Sequence, residues 1–321
     1  MAGEALIELR DVSVVYRGRH AWGSEGTAAL TGFSLSIAEG EMVGLVGESG
    51  SGKTTAGNVI AGLVGAAQGD VLWEGSRLTT ARRRKLRGQL QLVGQNPRWG
   101  LDPQRRVGTS VAEPLAVLGI GTRRGRRAAA EELLAAVGLG RAIVSRYPHQ
   151  LSGGQAQRAV IARALISNPR VIVFDEVVSA LDVSVQVQVM NLIRDLQQEH
   201  RFAGLFISHD LAAVRYAADR VAVLYQGYTQ HVADSATFYV APLHPYSRIL
   251  LSSVARIPDE SQFDDAAPEV RAAVVGCPLS DVCPYAVERC KRERPELRQI
   301  GSEWAACHRA EDMASTVSAT S

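Results

Sequence analysis

The run Gly47-Glu48-Ser49-Gly50-Ser51-Gly52-Lys53-Thr54 limits the possible folds of this 321-residue chain more than any other segment. It fits G-x-x-x-x-G-K-[ST], a pattern with physical requirements on either side. Glycines let the backbone curl until successive N–H groups point inward at phosphate oxygens. A helix should follow, because its positive N-terminal end completes an anion cradle. A strand should precede it, and 42–46 is an apolar run leading straight into the turn. Lys53 is a compact charge able to reach the β- and γ-phosphates, and Thr54, followed by Thr55, offers a hydroxyl to Mg²⁺. The lysine is informative, because Arg greatly outnumbers Lys and the others are Lys85 and Lys291.

Strand and helix patterns alternate along the chain. Residues 6–16 alternate apolar and polar as a half-buried strand does, and 34–37 reads as another. Continuous apolar runs at 171–174, 204–208 and 221–225 have the character of buried parallel strands. Val185, Val189, Leu192, Ile193 and Leu196 recur at helical spacing between them. The stretch 98–145 reads as helices stopped by Gly138 and Gly140. The expected class is α/β with a mainly parallel sheet. No internal repeat is visible, so one nucleotide cassette is expected. At 46 % hydrophobic the chain can bury a large core, and a net charge of +2 gives no reason to expect nucleic acid as a partner. The basic runs 82–85 and 123–127 lack interleaved aromatics and fit solvated faces. No apolar stretch is long enough to cross a bilayer, and 1–10 has no basic-then-apolar secretory pattern. If the chain works in transport, other chains form the pore.

Residues 171–176, Val-Ile-Val-Phe-Asp-Glu, put two acids at the carboxyl end of a buried strand, where open α/β sheets bind ligands. Asp175 suits Mg²⁺ through its water shell, and Glu176 suits a general base acting on water. Alone the pair is weak, because apolar strands often end in an acid; the phosphate loop upstream gives it weight.

Between loop and acids lies Leu151-Ser152-Gly153-Gly154-Gln155, followed by a helical run that stops before Pro169. Ser152 can cap that helix, while the glycines leave N–H groups free for an anion. With these motifs in this order, the chain resembles the ATP-binding cassette family over nearly its whole length. Gln95 matches that family's Q-loop glutamine, 179–182 (Ser-Ala-Leu-Asp, ending in Asp182) its D-loop, His209 its switch histidine, and Tyr16 the aromatic that stacks on adenine. Singly, Gln95 could be a solvated loop residue, His209 a satisfied core histidine and Tyr16 a packed strand residue. The resemblance implies a P-loop NTPase core with an antiparallel β subdomain, an α-helical signature subdomain at about 98–168, and ATP and Mg²⁺ as ligands. It implies that Thr54, Gln95 and Asp175 serve Mg²⁺ and that Lys53, Gln95, Glu176 and His209 act in hydrolysis. It also implies a head-to-tail pair of cassettes, in which Ser152, Gly153 and Gly154 of one face the phosphate loop of the other. One departure stands out: Val177 replaces the proline that usually follows the two acids, which would loosen the turn carrying Glu176.

The four cysteines, Cys277, Cys283, Cys290 and Cys307, all fall in the last 45 residues. Their spacings of five, six and sixteen intervening residues are not those of paired C-x-x-C knuckles. In a reducing cytoplasm, thiolates converging on a cofactor are a better expectation than a disulfide. Residues 243–248 (Leu-His-Pro-Tyr-Ser-Arg) and this tail resemble the oligopeptide/dipeptide branch of importer ATPases, and 147–149 and 179–186 resemble the second of its two paired ATPases. That resemblance implies a [4Fe–4S] cluster, with Zn²⁺ as the alternative. The expected domains are a cassette at 1–240, a linker at 241–275 marked by prolines and acids, and a small Cys-rich extension at 276–321. The implied partners are a second, different ATPase subunit, two transmembrane permease subunits and, indirectly, an extracytoplasmic peptide-binding protein, with this chain peripheral on the cytoplasmic face. Nickel, glutathione or glycosides remain open as cargo, and a soluble cassette ATPase of DNA repair or translation is the competing class.

Overall fold

The computed structural model describes residues 5–16, 26–255 and 275–318. Strand β1 (Ala5–Tyr16) pairs antiparallel with β2 (Thr27–Ala38), which is much longer than its alternating stretch at 34–37 foretells. A register shift between Leu9 and Val12, with Asp11 at φ 50°, re-phases β1 so that Ile7, Leu9, Val12 and Val14 all face inward. Strand β3 (Met42–Val46) enters the glycine loop, and α1 (Lys53–Ala61) leaves it. Strands β4 (Gln68–Trp73) and β5 (Ser76–Arg77) complete a four-stranded antiparallel sheet, ordered β2-β1-β4-β5. The first basic run lies on α2 (Thr80–Lys85), which contains no buried residue, and β6 (Leu90–Val93) follows.

A helical layer is built from α3 (Val107–Val117), α4 (Arg123–Ala136) and α5 (Gly153–Leu165). Gly138, at φ 75°, ends α4 as its left-handed backbone requires; Gly140 instead opens a 3₁₀ turn over Arg141–Ser145. From there β7 (Val171–Asp175), α6 (Val183–His200), β8 (Ala203–Ile207), α7 (Leu211–Ala217) and β9 (Arg220–Tyr225) alternate as strand and helix. Strands β9, β3, β8, β7 and β6 are neighbours in that order, and every pair is parallel. Their unbroken apolar runs serve two faces at once. Val171, Val173, Leu205 and Ile207 join a core shared with α1 and the antiparallel sheet, whereas Ile172, Phe174 and Phe206 join a second core beneath α5, α6 and α7.

Strand β10 (Tyr228–Asp234) folds back antiparallel on β9 through Gln226 and Gly227, at φ 47° and 82°, the left-handed pair that a tight hairpin demands. Helices α8 (Ser235–Val240) and α9 (Pro245–Ala255) follow. The expected proline- and acid-rich linker falls largely within 256–274, outside the described residues. Strands β11 (Arg298–Ile300) and β12 (Glu303–Ala305) then form a hairpin, and β12 pairs along the free edge of β10. The tail therefore extends the main sheet to eight strands, and Cys277, Leu279 and Cys290 belong to the same core as Phe238 and Tyr246. Among the described residues, no helix is long and apolar enough to cross a membrane.

Buried polar groups fasten this junction. His231 on β10 is fully buried, with Nε2 2.7 Å from Glu303 Oε2 on β12 and Nδ1 2.9 Å from Ser247 Oγ on α9. The Leu243 N–H also reaches Glu303 Oε2, at 3.4 Å. His244 is held neutral: burial, with His231 beside it, pushes its pKa down to about 3. Removing one partner of a buried hydrogen bond costs about 1–3 kcal/mol because the other is stranded. Glu303→Ala should therefore lower unfolding stability by about that amount in denaturant titrations and expose the tail to limited proteolysis. Glu303→Gln, which keeps an acceptor, should lose less.

Candidate functional site

The glycine loop is held from two sides. A Cβ on Gly47 would lie 2.0 Å from the Leu224 carbonyl oxygen, and one on Gly52 would lie 2.3 Å from that of Ala29. Both glycines have φ values of L-residue strain, 151° and 105°. The Gly227 N–H donates to the Ser51 carbonyl at 2.9 Å, so the β9–β10 turn also clasps the loop. No side chain caps α1 at Gly52, and no acid lies in its first turn, which leaves its N-terminal N–H groups available to an anion. Among the described residues the buried Ser51 hydroxyl oxygen has no hydrogen-bond partner, while Glu48, Ser49 and Gly50 are exposed. These features fit a bound polyphosphate.

Lys53 is 6 % exposed and folds back over the loop, donating to the carbonyls of Gly47 at 2.8 Å and Glu48 at 2.7 Å. Burial lowers the pKa of its ammonium, opposed by the charges of Glu176, Asp175 and Glu48. Thr54 Oγ1 donates to Asp175 Oδ1 at 3.3 Å. Burial raises the pKa of Asp175, the Thr54 hydrogen bond lowers it, and Glu176 raises it further. A divalent cation beside Thr54 and Asp175 would relieve both effects.

Glu176 follows β7 with φ 49°, its N–H bonded to the Ile207 carbonyl of β8 at 3.0 Å. Gln95 Nε2 donates to Glu176 Oε2 at 3.0 Å, and His209 Nδ1 lies 3.4 Å from Oε1. One carboxylate is thus fixed between an amide and an imidazole. The looser turn expected from Val177 is not what the structure has. Val177 and Val178 are buried at 2 % and 1 %, and Ser179 donates to the Glu176 carbonyl from both its N–H and its hydroxyl. Apolar anchoring and this doubled acceptor do the work of a proline ring.

Six residues expected at one site, Lys53, Thr54, Gln95, Asp175, Glu176 and His209, are therefore brought together. Tyr16 OH lies 3.4 Å from Thr55 Oγ1, with its ring half-exposed rather than packed in the sheet. Ser152 to Gln155 stand apart at the start of α5. Ser152 Oγ accepts from the Gln155 N–H, Gln155 Oε1 accepts from the Ser152 N–H, and both Ser152 and Gly153 are exposed. A Cβ on Gly154 would meet Val185 at 2.6 Å, which is why α5 approaches α6 so closely there. Asp182 caps α6 with its backbone only and is exposed. Sequence reasoning missed the β9–β10 turn as part of the loop's support, although Gln226-Gly227 between two apolar runs is a hairpin signal.

The four cysteines line one small cavity of about 20 Å³ together with His244, and no disulfide joins them. Burial pushes the Cys277 thiol up to about 11 and also raises those of Cys283 and Cys307; the neighbouring cysteines add to each shift. Among the described residues, however, no three His, Cys, Asp or Glu side chains are gathered closely enough to hold a metal ion. The expected ligand set reaches a common cavity but is not gathered to ligand distance.

Strand, loop, paired acids and capped glycine turn define an ATP-hydrolysing cassette. Comparison with known proteins agrees: the family described as ABC transporter matches residues 30–179, and the oligopeptide/dipeptide transporter C-terminal region matches 232–290. The chain is 40 % identical over 319 residues to the di/tripeptide transport ATP-binding protein DppF of Pseudomonas aeruginosa, covering 96 % of this chain and 98 % of that one. It is 39 % identical over 324 residues to the oligopeptide transport ATP-binding protein AppF of Bacillus subtilis, covering 95 % and 97 %. Among solved structures, a dimeric ATP-binding cassette in a post-hydrolysis state with ADP and Pi superimposes with TM-score 0.64 at 31 % identity, over 71 % of this chain and 98 % of that one. The chain belongs to the ABC transporter family, as an ATP-binding subunit. The second match begins within β10, so the region it describes takes in the His-Pro-Tyr-Ser segment and three of the cysteines.

Loss of a positioned general base typically costs about 10²–10⁴ in rate. Glu176→Gln should bind ATP with little change and hydrolyse it at least about a hundredfold more slowly, accumulating a closed, ATP-loaded pair on gel filtration. Near-normal turnover in this variant would count against the role of Glu176.

Proposed function

We propose that this subunit energises the import of di- and oligopeptides, working head-to-tail with a second, different ATPase subunit on two transmembrane permease subunits. It sits on the cytoplasmic face of the membrane, and an extracytoplasmic peptide-binding protein delivers cargo to the permease. The observation that carries this reading is the division of the molecule into two half-sites. Lys53, Thr54, Asp175 and Glu176 form one, and the exposed Ser152-Gly153 turn at the start of α5 offers the other to a neighbouring cassette. Peptide as cargo is supported by the names of the relatives and by the matched C-terminal region.

In this mechanism the loop N–H groups, the α1 N-terminus and Lys53 hold the β- and γ-phosphates. Lys53 exchanges its two carbonyl acceptors for phosphate oxygens. Thr54 and Asp175, with Gln95, would hold Mg²⁺, which would supply positive charge to neutralise the phosphates. Glu176, steadied by Gln95 and His209, accepts a proton from the attacking water. Tyr16 stacks on the adenine, and the partner's Ser-Gly-Gly turn closes over the terminal phosphate. Asp182 faces the partner across the joint. Catalysis is mainly positioning and charge stabilisation of a loose phosphoryl-transfer transition state. Co-purification with the permease subunits, followed by ATPase assays with and without peptide-loaded binding protein, tests the whole. Peptide should stimulate turnover; an ATPase indifferent to peptide and stimulated by DNA or ribosomes would restore the soluble-cassette reading.

The same reading gives Cys277, Cys283, Cys290 and Cys307 to a [4Fe–4S] cluster with a structural or regulatory role. Four thiols lining one cavity, with burial resisting the ionisation of Cys277, Cys283 and Cys307, supply the soft donor set that such a centre needs. Protein purified anaerobically should be brown and contain iron and acid-labile sulfide. Colourless protein with stoichiometric zinc would overturn the cluster in favour of zinc.

A further inference from the structure

Tyr246 lies in the first turn of α9, in the His-Pro-Tyr-Ser segment, and nothing in the hydrolytic machinery described above uses it. Its ring is buried and meets Tyr225 edge-on, with centroids 4.9 Å apart. Tyr225 ends β9. It follows Leu224, whose carbonyl walls Gly47, and precedes the turn whose Gly227 N–H holds Ser51. The edge-on pair of tyrosines therefore braces the floor of the phosphate loop from the side of the C-terminal region.

The hydroxyl at the end of that ring is the unusual part. It is buried, and among the described residues no well-formed hydrogen bond reaches it, although Glu48 in the loop lies near enough to act on it. Burial first, and then the Glu48 carboxylate, push its ionisation upward, so it keeps its proton and is a donor. A buried donor left unpaired is costly, and a carboxylate beside it is the natural acceptor. Glu48 also carries the same sign of charge as a triphosphate, at the mouth of the site that must receive one.

We propose that Tyr246 is a positioning residue for ATP: its hydroxyl takes the Glu48 carboxylate as acceptor when the loop closes on nucleotide, drawing that negative charge away from the phosphates while Tyr225 supports the loop beneath. The proposal deepens the ATP-binding role and rests on it. It also gives the C-terminal region a direct hold on the nucleotide site, because the Tyr246 N–H donates to His244 Nδ1 at 3.2 Å and His244 borders the cysteine cavity.

The test is a double-mutant cycle on the full-length chain, read by titration with a fluorescent ATP analogue and Mg²⁺ and by steady-state kinetics. Tyr246→Phe should raise Kd and KM for ATP about three- to tenfold, the size of one hydrogen bond, with kcat changed less than about twofold. In a Glu48→Ala background, which has no side-chain acceptor, the same substitution should have no further effect. Equal weakening in both backgrounds, no weakening in either, or parallel loss of kcat with a lower melting temperature would each overturn the proposal. Independently of that variant, 3-fluorotyrosine placed at 246 should show a ¹⁹F shift on adding MgATP that is absent with Glu48→Ala; an unmoved resonance in the parent chain overturns it too. Nucleotide binding by the parent chain is measured in the same titration, so failure of the ATP role and failure of the Tyr246 role give different results.

Discussion

Everything at the nucleotide site depends on how tightly the glycine loop is hemmed in. Leu224 presses a carbonyl on Gly47, Ala29 presses another on Gly52, and the Gly227 N–H holds Ser51. Each of these groups comes from a different strand or turn, so the loop is a joint where both sheets meet. Atoms this close leave no room for a side chain and little freedom for the backbone. That is the condition under which Lys53 can be buried and still point its charge along the loop. It is also why the loop's peptide dipoles need no reorganisation when phosphate arrives.

The second constraint is the two-sidedness of the parallel strands. Val171 to Phe174 and Ala203 to Ile207 divide their side chains between two cores, which fixes β7 and β8 side by side and brings Asp175 opposite Ile207. Only that register lets Glu176 bond to the Ile207 carbonyl and swing its carboxylate between Gln95 and His209. The Glu176 carboxylate is therefore placed by the packing of residues buried in the two cores.

Local chemistry made much of this legible in the sequence. The glycine loop, the apolar runs ending in acids and the Ser152 cap each encode their structure in a few neighbouring residues, so their positions could be read directly. Gly138 as a stop and the helical spacing from Val185 to Leu196 were legible for the same reason. What escaped reading depends on pairing over distance. The partners of β10 and β12 are separated by the whole of α8, α9 and the segment beyond, and Glu303 has meaning only once His231 is buried beside it. The strands β4, β5, β11 and β12 are short or carry polar residues because one face meets solvent, so they lack the runs that marked their neighbours. Val177 misled for a different reason: a missing proline implies looseness only if nothing else holds the turn, and burial of Val177 and Val178 is invisible before the fold is known.

The rim of the main sheet has a consequence for how the chain is made. Strand β10 is a seven-residue, largely buried element whose outer edge is covered by β12, and β12 leaves the ribosome well after β10 does. During that interval the nascent cassette presents bare amide and carbonyl groups to solvent, where another chain's strand could zip onto them. Timing of synthesis, more than the finished architecture, is then what stands between this subunit and self-association.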